Sequence, residues 1–121
     1  MEGKKLTDLE VYRIAVELSA LAWQVYQVIP TYCKFHIGAQ FLDSVDSIGA
    51  NIAEGFGRYH FRDSLKFYYN SRGSLFEAKH WIYLLKTRNL IENEAHAIIL
   101  NSLEKEGVKL NNFINSLKIK I

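Results

Sequence analysis

The chain is 121 residues long, enough for one domain with a single buried core, and 49% of it is hydrophobic against 23% charged. That balance excludes a disordered chain, and the apolar runs break before the ~18 residues that a membrane span needs. Cys33 is the only cysteine, which excludes an internal disulfide and a thiolate metal cluster. The opening residues Met1 to Leu6 contain no leader-like apolar stretch, so the expected location is the cytoplasm. The net charge of +2 is unevenly spread. Residues 58–88 carry seven Lys or Arg against Asp63 and Glu77, a net +5, whereas residues 6–57 sum to −4.

Taken in chain order, the spacing predicts four helices, over about 8–29, 33–55, 62–88 and 93–118. Thr7-Asp-Leu-Glu10 reads as a capping box for the first. Val11, Ile14, Leu18, Leu21, Val25 and Val28 then form one apolar face, and Pro30 ends the helix. The second helix places Phe41, Val45, Ile48 and Ile52 together. The third offers Leu65, Tyr68, Leu75, Ile82 and Leu85, with Asn89 as a left-handed cap. The fourth has Ile99, Leu103, Leu110, Phe113, Ile114 and Leu117. Short connections between helices of similar length specify an all-α, antiparallel up-down four-helix bundle in one domain.

The stretch Asn51-Ile-Ala-Glu-Gly-Phe-Gly-Arg58 closes the second helix. Glu54 stands where the helix dipole disfavours a negative charge, and Arg58, four residues on, offers the offsetting cation. Arg62 is the other candidate. Asn51 can brace the connection through its amide, and Gly55 or Gly57 can supply a positive-φ residue at the helix end. In a hairpin centred on residues 58–60, positions summing to roughly 118 lie level. That pairs Ser44 with Ser74, Ser47 with Ser71, Val45 with Gly73, and Asp46 with Arg72. Gly73 in mid-helix costs ~1 kcal/mol relative to alanine, and close packing is the expected compensation.

Asp8-Leu-Glu-Val11, Val25-Tyr26 with Pro30, the stretch 51–58, and Arg72-Gly-Ser-Leu75 with Glu77 together resemble a known family. It is the four-helix-bundle family of bacterial proteins whose founding members are encoded in intervening sequences of 23S ribosomal RNA genes. The resemblance implies an up-down bundle that assembles into a ring-like homopentamer, with no established catalytic activity. The structural motif it carries here is Asn51, Glu54, Gly55, Gly57, Arg58, Arg72, Gly73 and Ser74. The chain departs from the family pattern at Leu42-Asp43, where many relatives are basic, and at Asp46, Gly49 and Lys79.

Other chemistries find little support. Gly55-Phe-Gly57 lacks the rest of a phosphate loop, and a helix C-terminus presents carbonyls rather than amides. Glu77-Ala-Lys-His80 has the spacing of a di-iron pair but no second pair, so no metal site is expected. No nucleophile elbow accompanies His36, His60, His80 or His96. The sequence calls for no cofactor, catalytic residue or small-molecule substrate.

Helix 1 carries Tyr12, Val16, Trp23 and Tyr26 beside its core face, and helix 3 carries Tyr69, Phe76 and Tyr83. Second apolar stripes point to a surface buried between subunits; the alternative is rings lying flat with their hydroxyls in water. On helix 3 these aromatics alternate with cations, which suits phosphate contacts and base stacking. The same alternation suits snorkelling at a subunit interface. Two functions follow. One is a non-enzymatic homo-oligomeric interaction scaffold. The other is an RNA- or single-stranded-DNA-binding module using Arg62, Lys66, Lys79 and Lys86.

Overall fold

Four long helices follow one another with the expected spacing: α1 Glu10–Val28, α2 Ala39–Phe56, α3 Phe61–Thr87 and α4 Asn93–Lys118. The structure, a computed structural model, describes residues 4–121. Contacts run around a square, from α1 to α2, α3 and α4 and back to α1, as an antiparallel up-down bundle requires.

Steps of three and four residues make the core. Val11, Ile14, Leu18 and Val25 of α1 meet Phe41, Val45, Ile48 and Ile52 of α2, all buried. Tyr68, Leu75, Ile82 and Leu85 of α3, with Ile99, Leu103, Leu110, Ile114 and Leu117 of α4, complete it. Each large side chain withdrawn from water contributes about 1.5–3 kcal/mol before entropy is counted. Leu21 and Leu65 are only half-buried, and Val28, the last residue of α1, is exposed.

Three helix ends bear on the sequence expectation, and two of them differ from it. The Thr7–Glu10 capping box does not form. Leu9 is the N-cap of α1, with no side-chain cap bond, because its apolar side chain is drawn into the core. The preceding turn, Leu6–Asp8, is held instead by the Lys5 amide donating to the Asp8 carboxylate at 2.8 Å. The Thr7 carbonyl accepts from the Arg13 guanidinium at 2.8 Å.

The second difference lies before α2. Ile29 is extended (ψ 156°) ahead of Pro30, as expected. The chain then makes one helical turn, Thr31–Cys33, and a wide turn, Lys34–Gly38, broken at His36 (φ −120°, ψ −107°). This wide turn directs Cys33 and Ile37 inward beside Ile29, closing one end of the core. A Cβ at Gly38 would press on the tip of the Ile29 side chain and lie 3.1 Å from the Cys33 carbonyl oxygen, so the glycine lets the turn close tightly here.

The third end behaves as read. Asn89 has φ 56°. Its amide donates to the Lys86 carbonyl, and the Leu90 amide to the Leu85 carbonyl, both at 2.9 Å. This paired closure satisfies the last carbonyls of α3 and turns the chain into α4. Asn89→Gly is expected to hold or slightly raise stability, whereas Asn89→Val costs about 1–2 kcal/mol in urea denaturation, because a branched side chain is strained in the left-handed region.

Candidate functional site

The stretch Asn51–Arg58 packs α2 against α3. Gly55 is buried, and a Cβ placed there would lie 2.6 Å from a ring carbon of Tyr68. The glycine is needed for space. Neither Gly55 nor Gly57 takes the positive φ expected of it: Gly57 has φ −77°, and its amide donates to the Ala53 carbonyl at 3.2 Å. Tyr68 in turn meets Phe113 of α4 edge to face, with centroids 4.9 Å apart. A glycine on α2 thereby seats a tyrosine of α3 that reaches α4.

Arg58 pairs with Glu54 at 2.5 Å, as the dipole reading requires, and its guanidinium lies over Phe67 at 4.6 Å. Both charged groups are about half exposed, so the pair contributes only a few tenths of a kcal/mol. Asn51 does not brace the connection. Its amide donates back to the Ser47 carbonyl at 2.9 Å, one turn earlier in the same helix.

At the level expected for Ser71 the crossing forms, with Ile48 rather than Ser47 as the partner. Ser71 donates to the Ile48 carbonyl at 2.8 Å across the α2–α3 crossing, and both residues are fully buried. Ser44 instead satisfies itself on the Phe41 carbonyl. Ser74 is half-buried, and Gly73 does not face Val45: it is exposed, and a Cβ added to it would meet nothing within 4 Å. Arg72 does not meet Asp46. Its guanidinium donates to Asn111 of α4 at 3.1 Å and lies 5.0 Å over Tyr69. Level position fixes height along the bundle, and the direction of the side chain around the helix decides the partner.

Two apolar faces lie on opposite sides of the square. Tyr12, Val16 and Ser19 of α1 border a shallow groove of about 240 Å³ floored by Ala15, Gly49, Ala50 and Ala53, with Asp46 on its rim. Trp23 and Tyr26 stack further along α1, 5.8 Å apart. On the far side, α3 presents Tyr69, Gly73, Phe76 and Tyr83 at steps of four, three and seven. Phe76 is 60% and Tyr83 57% exposed. Lys79 lies over Phe76 at 5.2 Å and Lys118 of α4 over Tyr69 at 5.9 Å, so cations edge this face.

The four cations suggested for nucleic acid do not form one patch. Arg62 and Lys66 are exposed on the first two turns of α3. Lys79 and Lys86 are half-buried near its other end, and at ~100° per residue they point well away from the first pair. Lys86 also helps to hold the buried imidazole of His96 below its ordinary pKa, second to burial itself. Glu77 accepts from the Trp81 indole at 2.9 Å, and among the described residues no three His, Cys, Asp or Glu side chains converge.

One buried group has no counterpart among the residues that the sequence singled out. Glu106 is 0% exposed, between Leu103 and Leu110 on the core face of α4, and neither carboxylate oxygen has a hydrogen-bond partner. Burial pushes its pKa up to about 8; the Glu10 carboxylate adds to the effect and Lys105 opposes it. The signal was available, because 103, 106 and 110 continue the apolar steps of α4.

The square of four helices has a counterpart among known proteins. The model of the 23S rRNA-intervening sequence protein family matches residues 7–112. The chain belongs to that family. A crystal structure of a protein of unknown function from the S23 ribosomal protein family of Bacteroides thetaiotaomicron superposes with TM-score 0.81 at 24% identity. The match covers 87% of this chain and 95% of the other, and it supports the bundle architecture alone. No curated protein matches the chain. Among the described residues no helix is long and apolar enough to cross a membrane.

Gly55→Ala is expected to cost about 1–3 kcal/mol by overpacking, and Gly55→Val to cripple folding. In a Tyr68→Ala background the Gly55→Ala cost should largely vanish; equal costs in both backgrounds, by chemical denaturation, would remove this account of the glycine. For Glu106, the folded chain holds a proton that the unfolded chain releases above the ordinary carboxylate range. Its contribution is therefore complete at low pH and lost as pH rises through about 8. Glu106→Leu should raise the melting temperature more at about pH 8 than at about pH 5, by an amount on the order of several kcal/mol in stability.

Proposed function

We propose that this chain is a non-enzymatic interaction scaffold that assembles head to tail into a closed ring of identical subunits. The resemblance carried by the 51–58 and 72–77 motifs favours five. The observation that carries the reading is the match between the two opposite faces. The α1–α2 groove is shallow, floored by small residues and set in the acidic part of the chain. The α3 face projects Phe76 and Tyr83 from the basic part. Knobs and groove on opposite sides of one subunit suit a heterologous contact, which closes into a ring when the rotation between copies permits.

Charge complements shape. Asp46 on the groove rim and Lys79 on the α3 face are both without an ion-pair partner among the described residues, and a neighbouring copy supplies each. Gly73 gains a purpose on the same reading. An exposed mid-helix glycine that packs against nothing in its own chain lets a second backbone approach.

A second reading, nucleic-acid binding, is supported by Arg62 and Lys66, which are exposed on the first two turns of α3, on the side that Tyr69 and Gly73 continue. Lys79 fits the subunit contact better, because it already covers Phe76.

Light scattering and sedimentation test the ring. The wild-type chain is expected to form a closed species of several subunits, while Phe76→Glu with Tyr83→Glu, or Trp23→Glu alone, leaves helical monomers. Mixing the two kinds of variant should restore one-to-one pairs, since each retains the face the other lost. A wild-type monomer at all concentrations, or variants that assemble as before, would sink the proposal.

A further inference from the structure

The end of the bundle where α2 turns into α3 holds a cavity of about 210 Å³. Its walls are aromatic: Phe56, Phe61, Tyr68 and Phe113 come from three helices. Lys4, Arg58 and Lys120 also line it. Of these cations Arg58 alone is ion-paired among the described residues, to Glu54. Lys120 lies 5.7 Å over the Phe61 ring, placing an ammonium beside an apolar wall.

The polar group within is unusual. Tyr68 is only 3% exposed, and its hydroxyl makes no hydrogen bond among the described residues. The hydroxyl oxygen is not sealed off from solvent, and a ligand polar atom in the cavity takes the solvent's place as its partner. Burial also pushes the phenol up to about 12, so at neutral pH it keeps its proton and serves as a donor. Ser64, also lining the cavity, spends its own proton on the His60 carbonyl at 3.2 Å, leaving its oxygen able to accept.

Tyr59, at the cavity's mouth, lines it while staying 92% exposed, with His60 edge-on to it at 4.8 Å. Outside the cavity the same chemistry continues. Arg62 and Lys66 follow on the surface of α3, against Asp63 as the local acid. An inorganic anion has no use for aromatic walls, and a neutral apolar ligand has none for the cations. A planar ring joined to phosphate uses both, and further phosphates would follow the exposed cations.

We infer that this cavity takes one nucleotide of a single-stranded nucleic acid, its base among Phe61, Tyr68 and Phe113 and its phosphate at Lys4 and Lys120, with the strand leaving over Arg62 and Lys66. The inference rests on the nucleic-acid reading above and moves its centre from the middle of α3 to the end of the bundle.

Fluorescence anisotropy with a short labelled single-stranded RNA, at low salt, tests it on the full chain. Binding is expected to weaken about tenfold or more in Lys4→Glu with Lys120→Glu, and to stay within about twofold in Lys79→Glu with Lys86→Glu. Tyr68→Phe keeps the ring that packs on Gly55; it should weaken binding severalfold with the melting temperature unchanged. Adenosine monophosphate should compete, and inorganic phosphate at the same concentration should not. If only the Lys79 and Lys86 reversal abolishes binding, the cavity is overturned while nucleic-acid binding stands. If wild-type protein binds no RNA at low salt, both readings fall. Competition by phosphate equal to that by the nucleotide would overturn base recognition and leave a simple anion site.

Discussion

Where the Tyr68 ring lies against the bare backbone of Gly55, α2 and α3 come closer than any side chain at position 55 allows. Ser71 fixes the same crossing further along by donating to a backbone carbonyl of the facing helix. A buried hydroxyl without that acceptor would cost about 1–3 kcal/mol, so the two contacts demand the same spacing from opposite directions. The consequences spread outward. The Tyr68 ring props Phe113 and thus the position of α4, and the wall it makes bounds the cavity at the hairpin end. The stretch 51–58 therefore acts through backbone proximity, and its charges, Glu54 and Arg58, trim a helix end.

The rest of the molecule separates cleanly by polarity. Acidic residues gather with the α1–α2 groove and basic ones with α3, so the chain is electrically two-sided as well as apolar on two sides. Such an arrangement discourages two like faces from meeting and favours unlike ones. Glu106 belongs to neither side. It sits in the core, and it is tolerated because the neutral acid needs far less desolvation than its anion. Core acids of this kind tie the integrity of a fold to proton concentration without any metal or ligand.

Much of this was written in the residue order. The steps of three and four in all four helices identified Phe41, Ile48, Leu75, Ile82, Leu103 and Ile114 as core, and Asn89 announced its left-handed turn by composition and place. Glycine was harder, because it serves both unusual φ and close approach, and only the partner tells which. Gly55 was read for the first and serves the second; Gly73 was read as packed and is open. Arg72 was sent to the wrong helix because a hairpin rule gives height but no azimuth. The turn at Lys34–Gly38 stayed hidden since Ile29, Cys33 and Ile37 keep helical spacing through the irregularity. Glu106 is hard to see in the sequence because a charged residue reads as surface even where its place in the helical repeat is core. The cavity draws on residues 4 through 120 and is a product of tertiary structure that no local pattern encodes.

The connections 57–60 between α2 and α3 and 88–92 between α3 and α4 are short, and the seam between α1 and α4 closes the square. Closing short loops is entropically cheap, so the earlier helices can zip together on neighbouring contacts as they emerge during synthesis. The final helix arrives with Glu106 at its midpoint and must shed that charge to dock. In the folded chain burial holds that carboxyl neutral, so the packing of α4 on the other three helices is the part of the core that weakens as pH rises through about 8.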